Sequence, residues 1–185
     1  MRSLQDHFLI AMPTLDDPNF DETVTYVFRH DTDGAIGVIV NRPTDTVLGD
    51  IFKQLGLQAA EVPATAANPV FGGGPVARDQ GFVLHRSDQT FDATVRGDSG
   101  IRVTMSLDVM SSLAHGTGPD PAMIVLGYAG WGEGQLETEI AANSWLTVPA
   151  DPGILFDTPV EQRWTAAVGL LGVDAHQITS YAGHA

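Results

Sequence analysis

The sequence of 185 residues contains no cysteine. Disulfide bonds, thiolate nucleophiles, thiol redox switches and cysteine-ligated zinc or iron–sulfur sites are therefore excluded for this chain.

Basic residues are also few. The sequence has nine lysines and arginines against 23 aspartates and glutamates, and the formal net charge is −14. Since binding to a nucleic-acid backbone depends on clustered basic residues, this charge predicts that the chain does not bind DNA directly.

Long hydrophobic runs are missing as well. The apolar run at 8–12 is stopped by Pro13, and no stretch approaches the ~18 apolar residues of a membrane-spanning helix. We therefore predict a cytoplasmic protein that makes no membrane contact. The remaining composition, with 43% apolar and 17% charged residues, is typical of a globular protein, and a chain of 185 residues suffices for one domain with its own core.

The histidines and carboxylates show no metal-binding pattern. The six histidines contain neither an H-x-H nor an H-E-x-x-H spacing, and the glycine patterns of nucleotide-binding loops are absent. We therefore predict no structural metal ion and no cofactor. Glu133 and Glu137, four residues apart on a predicted helix, could coordinate a divalent ion or share acid and base roles, but the sequence favours an ordinary solvated helix face.

Short segments rich in β-branched and aromatic residues predict strands. The predicted strands are 8–12, 23–30, 35–40, 81–87, 92–96, 101–106, 122–128 and 144–148. The turn sequence DTDG between the second and third of these predicts a β-hairpin. The stretch 122–128 is the most apolar in the chain, and we predict that it is a central strand.

Four segments have the apolar spacing of amphipathic helices. They are 47–55, a helix beginning at 107, the segment 131–143 and a helix beginning near 160. The first ends at Gly56 and places its apolar residues on one face, namely Leu48, Ile51, Phe52 and Leu55. The last follows a capping-box pattern at 158–161, and the small, polar, proline-containing segment 58–69 predicts a mobile loop.

Three glycine-containing segments suggest sites, and each has a plainer explanation. GDSG at 97–100 resembles the nucleophile motif of chymotrypsin-like proteases, but it lies between two predicted strands, which favours a hairpin turn. FGGGPV at 71–76 could present backbone N–H groups to an anion, although a tight turn is favoured. GYAGWGEGQLE at 127–137 connects a strand to a helix, where a ligand site and close packing around Tyr128 and Trp131 are equally compatible with the sequence.

Six blocks of the sequence, in one order, are similar to those of the YqgE/AlgH family. They are HFLIAMP at 7–13, HDTDGAIGVIVNRP at 30–43, GGPV at 73–76, GFVLH at 81–85, GYAGWGEGQLE at 127–137 and the ending AGHA. The resemblance covers nearly the whole chain and implies a bacterial cytoplasmic protein. It also implies an α+β fold, in which a mixed β-sheet curls into a partly closed barrel flanked by helices, within a single domain over residues 1–185.

The resemblance also suggests a ligand-binding cleft. Its candidate lining consists of the family's recurring polar and glycine positions, to which no catalytic role is assigned. In this sequence they are Asn41, Arg42, Gly73, Gly74, Pro75, His85, Tyr128, Trp131, Gly134, Gln135 and Glu137. The sequence departs from the family at Phe28, where relatives often carry a cysteine ahead of the histidine, so a thiol-based role does not apply to this chain.

Three functions are compatible with these residues, and the first is preferred. In the first, Arg42, His85 and the glycine-rich segments hold a small anionic metabolite or a segment of a partner protein, in a regulatory binding module. The second is the transcriptional regulator that the family label suggests, although no helix-turn-helix with a basic recognition helix is visible. The third is a hydrolase, in which His85 is the base and Glu137 orients it.

Overall fold

The fold is built on a ten-stranded β-sheet. A computed structural model describes residues 3–57, 62–173 and 178 of the chain. The strands are β1 (His7–Ala11), β2 (Val24–Asp31), β3 (Gly34–Ile39), β4 (Pro43–Val47), β5 (Pro69–Gly72), β6 (Val76–His85), β7 (Thr94–Arg96), β8 (Arg102–Thr104), β9 (Ala122–Trp131) and β10 (Trp145–Pro149). The helices are α1 (Leu48–Gln54), α2 (Leu107–Ala114), α3 (Gln135–Ala141), α4 (Pro152–Phe156) and α5 (Arg163–Gly169), and two 3-10 turns span Ala64–Ala67 and Val160–Gln162.

The sheet is organised around β9. Its main path runs β10-β1-β2-β3-β9-β6-β8-β7, with antiparallel pairing at every step. β5 joins as a side branch that is parallel to β9, and β5 in turn pairs with β4. The mixed sheet curls into a half-barrel flanked by the five helices, so the predicted α+β fold with a partly closed barrel is confirmed.

Buried side chains alternate between the two faces of the sheet, as the two-residue period of a strand requires. In β1, Phe8 and Ile10 belong to the largest hydrophobic cluster, to which α4 and α5 also contribute. Leu9 and Ala11 belong instead to a cluster that includes Leu136 of α3. A third cluster lies between the sheet and helices α1 and α2. A shift of β1 by one residue would move each set of side chains into the cluster on the opposite face, where it does not fit, and the register is therefore strongly specified.

Most elements predicted from local patterns are confirmed. The segments 23–30 and 35–40 form the antiparallel pair β2 and β3, and GDSG at 97–100 is the turn between β7 and β8. β9 pairs with three strands, as expected of a central strand. Helices α1, α2, α3 and α5 lie within the predicted helical segments.

Pairing between distant segments shortens the predicted turn and the predicted bend in two glycine-rich stretches, although residues 73–75 still connect two strands and residues 132–134 still connect β9 to α3. FGGGPV is predicted as a turn, but residues 71 and 72 complete β5 because β9 offers them parallel partners. β9 itself continues through GYAGW to Trp131, because Gly130 and Trp131 pair with β3, and the predicted bend therefore begins later. The sequence patterns do not predict β4, whose residues are largely exposed, or the short helix α4.

Several predictions at the ends of elements are wrong. α1 ends at Gln54, and Leu55, predicted on the buried face, is 44% exposed. The capping box does not form, because the Thr158 hydroxyl donates to the Gly153 carbonyl oxygen at 3.0 Å and a 3-10 turn precedes α5. In the predicted loop, residues 58–61 lie outside the described residues, and 64–67 form a 3-10 turn.

Within the described ranges, no helix is both long and apolar enough to cross a membrane.

Candidate functional site

The predicted site residues lie in four environments instead of one. Arg42, Gly74 and Pro75 line an open cleft, and Tyr128 and Trp131 line a second, separate depression. The other two environments are the buried interior of the sheet and the beginning of α3. The structure therefore brings together part of the predicted lining and distributes the remainder over the fold.

The open cleft, called the arginine cleft below, has a volume of about 400 Å³. Its lining comes from the loop before β2, from the start of β4, and from the segment that connects β5 to β6. Arg42 and Arg78 contribute positive charge, whereas Leu126, Pro43 and Pro75 contribute apolar surface. The volume lies at the lower end of the range of roughly 300–1,000 Å³ that is typical of ligand sites, so the cleft can accept a small molecule.

Arg42 is held in place by the loop before β2. Its Nη1 donates to the Pro18 carbonyl oxygen at 3.2 Å, and its Nη2 donates to the Asp21 carbonyl oxygen at 2.8 Å. The neighbouring Asn41 fixes the same loop, because its Nδ2 donates to the Glu22 carbonyl oxygen and its Oδ1 accepts from the backbone N–H of Val24. Among the described residues, Arg42 has no carboxylate partner, so these contacts orient its guanidinium without neutralising its charge.

Arg78 is a cleft residue that the sequence does not predict. It lies in β6 between Val76 and Gly81, where the register against β9 shifts, and its side chain is exposed. Within the described part of the chain, Arg78 forms no ion pair. Arg78 belongs to no sequence motif. Only its position in an irregular strand next to FGGGPV at 71–76 could have suggested a role.

Gly73 and Gly74 bring the chain directly against β9. The Gly73 N–H donates to the Leu126 carbonyl oxygen at 2.7 Å, and the Gly73 carbonyl oxygen accepts from the Ile39 N–H at 2.8 Å. A Cβ on Gly73 would lie 2.3 Å from the Gly127 carbonyl oxygen, and one on Gly74 would lie 2.3 Å from that of Tyr128. Close packing therefore explains both glycines, and Gly74 in addition lines the arginine cleft.

His85 is enclosed in the core and does not line the arginine cleft. Its side chain is fully buried, its Nε2 lies 2.9 Å from the Thr104 Oγ1, and the Phe91 ring meets it edge-on at 5.7 Å. Burial lowers the pKa of His85, and the charge of Arg102 lowers it further. His85 is thus a structural histidine that favours the neutral form.

Acidification is expected to remove the contribution of His85 to stability. Since its pKa in the folded state lies below the ~6.5 of an unfolded chain, the unfolded state binds more protons at pH values between the two. The contribution is complete above about pH 6.5 and is lost as the pH falls toward the folded-state pKa. In urea titrations, the difference in unfolding free energy between wild type and His85→Gln should therefore shrink on acidification. A difference independent of pH would contradict this expectation.

α3 contains a carboxylate, Glu139, that the sequence does not predict as important. Glu139 Oε2 accepts from the indole N–H groups of Trp131 at 2.9 Å and of Trp145 at 2.8 Å, and Oε1 accepts from Gln135 Nε2 at 2.9 Å. Gln135 also caps the turn before the helix, because its Oε1 accepts from the Gly132 N–H at 3.0 Å. Two predicted site residues, Trp131 and Gln135, are therefore parts of one scaffold centred on Glu139.

Glu137 is paired with His30 and not with His85. Its Oε1 lies 2.8 Å from His30 Nε2, and the Nδ1 of His30 accepts from the backbone N–H of Leu4 at 2.8 Å. A hydrogen bond from its own backbone N–H lowers the pKa of Glu137, and the His30 contact adds to this effect. Glu137 therefore ties the N-terminal segment to α3, which differs from the predicted solvated face, whereas Glu133 is exposed as predicted.

The remaining predicted residues have structural roles in the fold. Gly134 precedes α3 with a φ of 67°, a left-handed conformation that favours glycine. Tyr128 packs edge-on against Phe82 with 6.1 Å between ring centroids, and the depression that it lines measures about 260 Å³.

Two other cavities of about 250 and 630 Å³ adjoin α1. Over residues 3–57, 62–173 and 178, no group of three or more histidine, aspartate or glutamate side chains could hold a metal ion.

Comparison with known proteins identifies one family along nearly the whole chain. The family model described as AlgH-like matches residues 8–176. A UPF0301 protein of Saccharophagus degradans is 50% identical over 183 residues, which cover 99% of this chain and 89% of the relative. A UPF0301 protein of Pseudoalteromonas translucida is 45% identical over 185 residues, which cover 100% of both chains.

Solved structures extend this similarity to three dimensions. The solution structure of the AlgH protein from Pseudomonas aeruginosa has a TM-score of 0.80 at 47% identity, and the alignment covers 99% of this chain and 96% of that chain. A crystal structure of a protein from Corynebacterium diphtheriae has a TM-score of 0.69 at 19% identity, over 90% of this chain and 85% of that chain, and bears on the fold alone. The resemblance seen in the sequence is confirmed, and the chain belongs to the AlgH-like family.

Proposed function

We propose that this protein is a regulatory binding module that holds a small anionic ligand in the arginine cleft. The proposal rests on one observation: in a chain with a net charge of −14, two arginines without carboxylate partners among the described residues line the same cleft. An uncompensated guanidinium attracts carboxylates and phosphates, because its planar group of N–H donors matches their oxygen atoms. The cleft thus offers an anion a favourable environment on an acidic protein.

The contacts of Arg42 favour binding for a second reason. Two of the five N–H donors of an arginine are occupied by the Pro18 and Asp21 carbonyl oxygens, and the others form no hydrogen bond among the described residues. Because those contacts already restrict the side chain, ligand binding costs less conformational entropy than it would with a mobile arginine. Such preorganisation is a feature of ligand sites.

The other two functions have less support. A hydrolase would need a base beside a nucleophile or an orienting group, but His85 contacts Thr104 while Glu137 contacts His30. A transcriptional regulator that contacts DNA directly would have to overcome the net charge of −14. Regulation through a bound ligand or a partner protein agrees with both observations, and the cytoplasmic location predicted from the sequence stays a prediction.

A ligand screen followed by charge removal tests the proposal. We expect at least one small anion from a panel of phosphate, sulfate, organic acids and nucleotides to raise the melting temperature of the wild-type protein. At 100 times Kd, the gain is about 2.7 kcal/mol, or roughly 5–10 °C for a chain of this size. Arg78→Ala should weaken the binding of that anion about 10- to 100-fold in calorimetry, because one charge-assisted hydrogen bond is lost.

Arg96 provides the matched control. It is an exposed arginine on β7, outside the cleft, and it forms no ion pair within the described ranges. Arg96→Ala should therefore leave the affinity unchanged, which separates a local contact from the effect of net charge. Anion binding that persists in both Arg78→Ala and Arg42→Ala would place the ligand elsewhere, and no binding across the panel would reject the proposal.

A further inference from the structure

We infer that the ligand of the arginine cleft is a dianion on a short aliphatic skeleton, an inference that rests on the function proposed above. The first argument is charge. Arg42 follows β3 and Arg78 belongs to β6, so the two guanidinium groups reach the cleft from separate segments of the chain. A ligand with two negative charges can neutralise both, whereas a monoanion leaves one without a partner.

The second argument is what the lining does not offer. None of the described residues that line the cleft is aspartate, glutamate or aromatic. Sugar hydroxyls need hydrogen-bond acceptors, and a nucleobase is usually held by stacking on a ring. The Thr44 hydroxyl, which lines the cleft, already donates to the Val70 carbonyl oxygen at 2.7 Å. Besides this hydroxyl, the described lining offers a sugar only the Asn19 amide and the Thr46 hydroxyl, and it offers a nucleobase no aromatic ring. The lining therefore suits an aliphatic anion better than a sugar phosphate or a nucleotide.

The third argument is the apolar part of the lining. Hydrocarbon surface beside the two arginines comes from Leu126, Pro43 and Pro75. Such surface gains free energy by covering the methylene groups of a ligand and loses it by covering hydroxyl groups that stay unpaired. With a cleft volume of about 400 Å³, these properties select a short hydrocarbon chain between anionic groups or beside one doubly charged group.

Two chemical sources supply such a ligand, namely aliphatic dicarboxylates and alkyl phosphates. Calorimetric titration of the full chain with four matched probes distinguishes them from each other and from other anions. Succinate and propyl phosphate represent the two sources. Butyrate has the length of succinate with one charge fewer, and tartrate has the length and charge of succinate with two added hydroxyl groups. Comparing ligands on one folded protein avoids the risk that a variant fails to fold.

We expect succinate or propyl phosphate to bind about tenfold or more tightly than butyrate and more tightly than tartrate. Whichever of the two probes binds more tightly identifies the ligand as a dicarboxylate or as an alkyl phosphate. Arg78→Ala should reduce the ratio between the affinity for the dianion and the affinity for butyrate, and Arg96→Ala should leave this ratio unchanged. If neither succinate nor propyl phosphate binds more tightly than butyrate, the inference is overturned.

A parallel titration with adenosine monophosphate and glucose 6-phosphate separates this inference from the proposed function. If either binds as tightly as the aliphatic probes and depends on Arg78, the cleft is an anion site but the inferred ligand class is wrong. If no anion binds in an Arg78-dependent manner, both the proposed function and the inference fail.

Discussion

Gly74→Ala is expected to lower the free energy of unfolding by about 3–5 kcal/mol, the largest effect that we predict for a single substitution. Two causes add together. The added Cβ would lie 2.3 Å from the carbonyl carbon and oxygen of Tyr128, which belong to the backbone of a central strand and cannot move aside. In addition, Gly74 has a φ of 151°, which residues with side chains rarely adopt.

Gly81→Ala is the matched control for this substitution. Gly81 lies in β6, beside the same strand β9, but its φ is not positive and the nearest atom to an added Cβ is Leu126 Cδ2 at 3.8 Å. Urea unfolding followed by tryptophan fluorescence should give near-wild-type stability for Gly81→Ala and a much lower midpoint for Gly74→Ala. Equal stability of the two variants would show that the segment after β5 adapts to a side chain.

Glu139→Ala is expected to lower the free energy of unfolding by about 3 kcal/mol, which corresponds to about 6–12 °C in melting temperature for a chain of this size. The substitution removes the acceptor shared by the indole groups of Trp131 and Trp145 and by Gln135. Since Trp131 and Trp145 are buried, their N–H groups would be left without partners, and an unsatisfied buried donor carries its full desolvation penalty.

Two further variants test this explanation. Glu139→Gln keeps one acceptor oxygen but turns the other into a donor that faces an N–H group, so an intermediate loss is expected. Glu133→Ala removes an exposed carboxylate from the adjoining turn and should be nearly neutral. Anion binding in the arginine cleft should survive in Glu139→Ala at a temperature where it stays folded, because the Glu139 scaffold adjoins β9 at Trp131 and shares no residue with the lining of the cleft. A melting temperature near wild type would contradict the assigned role.

Local patterns predict those parts of the fold whose stabilising contacts are also local. The β2–β3 hairpin is an example, because a short turn joins two alternating apolar segments. β5 is the opposite case: its glycine-rich sequence becomes a strand because β9, which lies far away along the chain, pairs with it. No window around residue 71 contains that information, and the same reason hides β4, whose partner among the described strands is β5.

The residues of the candidate site also fall into two groups, those that the family resemblance predicts and those that only the fold reveals. The family resemblance predicts Arg42 and Gly74, and both line the arginine cleft. The resemblance predicts Trp131 and His85 as lining residues too, but Trp131 donates a hydrogen bond to Glu139 and His85 is buried in the core. Arg78 is missed because it belongs to no motif. Only the fold, by placing an irregular part of β6 beside the start of β4, shows which positive charges share a cleft.

The pairing of β9 also has a consequence for how the chain folds. Ala35 pairs with Trp131 and His7 pairs with Pro149, so the sheet joins segments from opposite ends of the described sequence. Domains with such a high contact order fold slowly, because the entropy of closing long loops is lost before the contacts that compensate for it can form. During synthesis, we therefore expect β1 and β3 to lack their partners β10 and β9 until those strands have left the ribosome. We expect chaperones to matter more for the production of this protein than its small size would suggest.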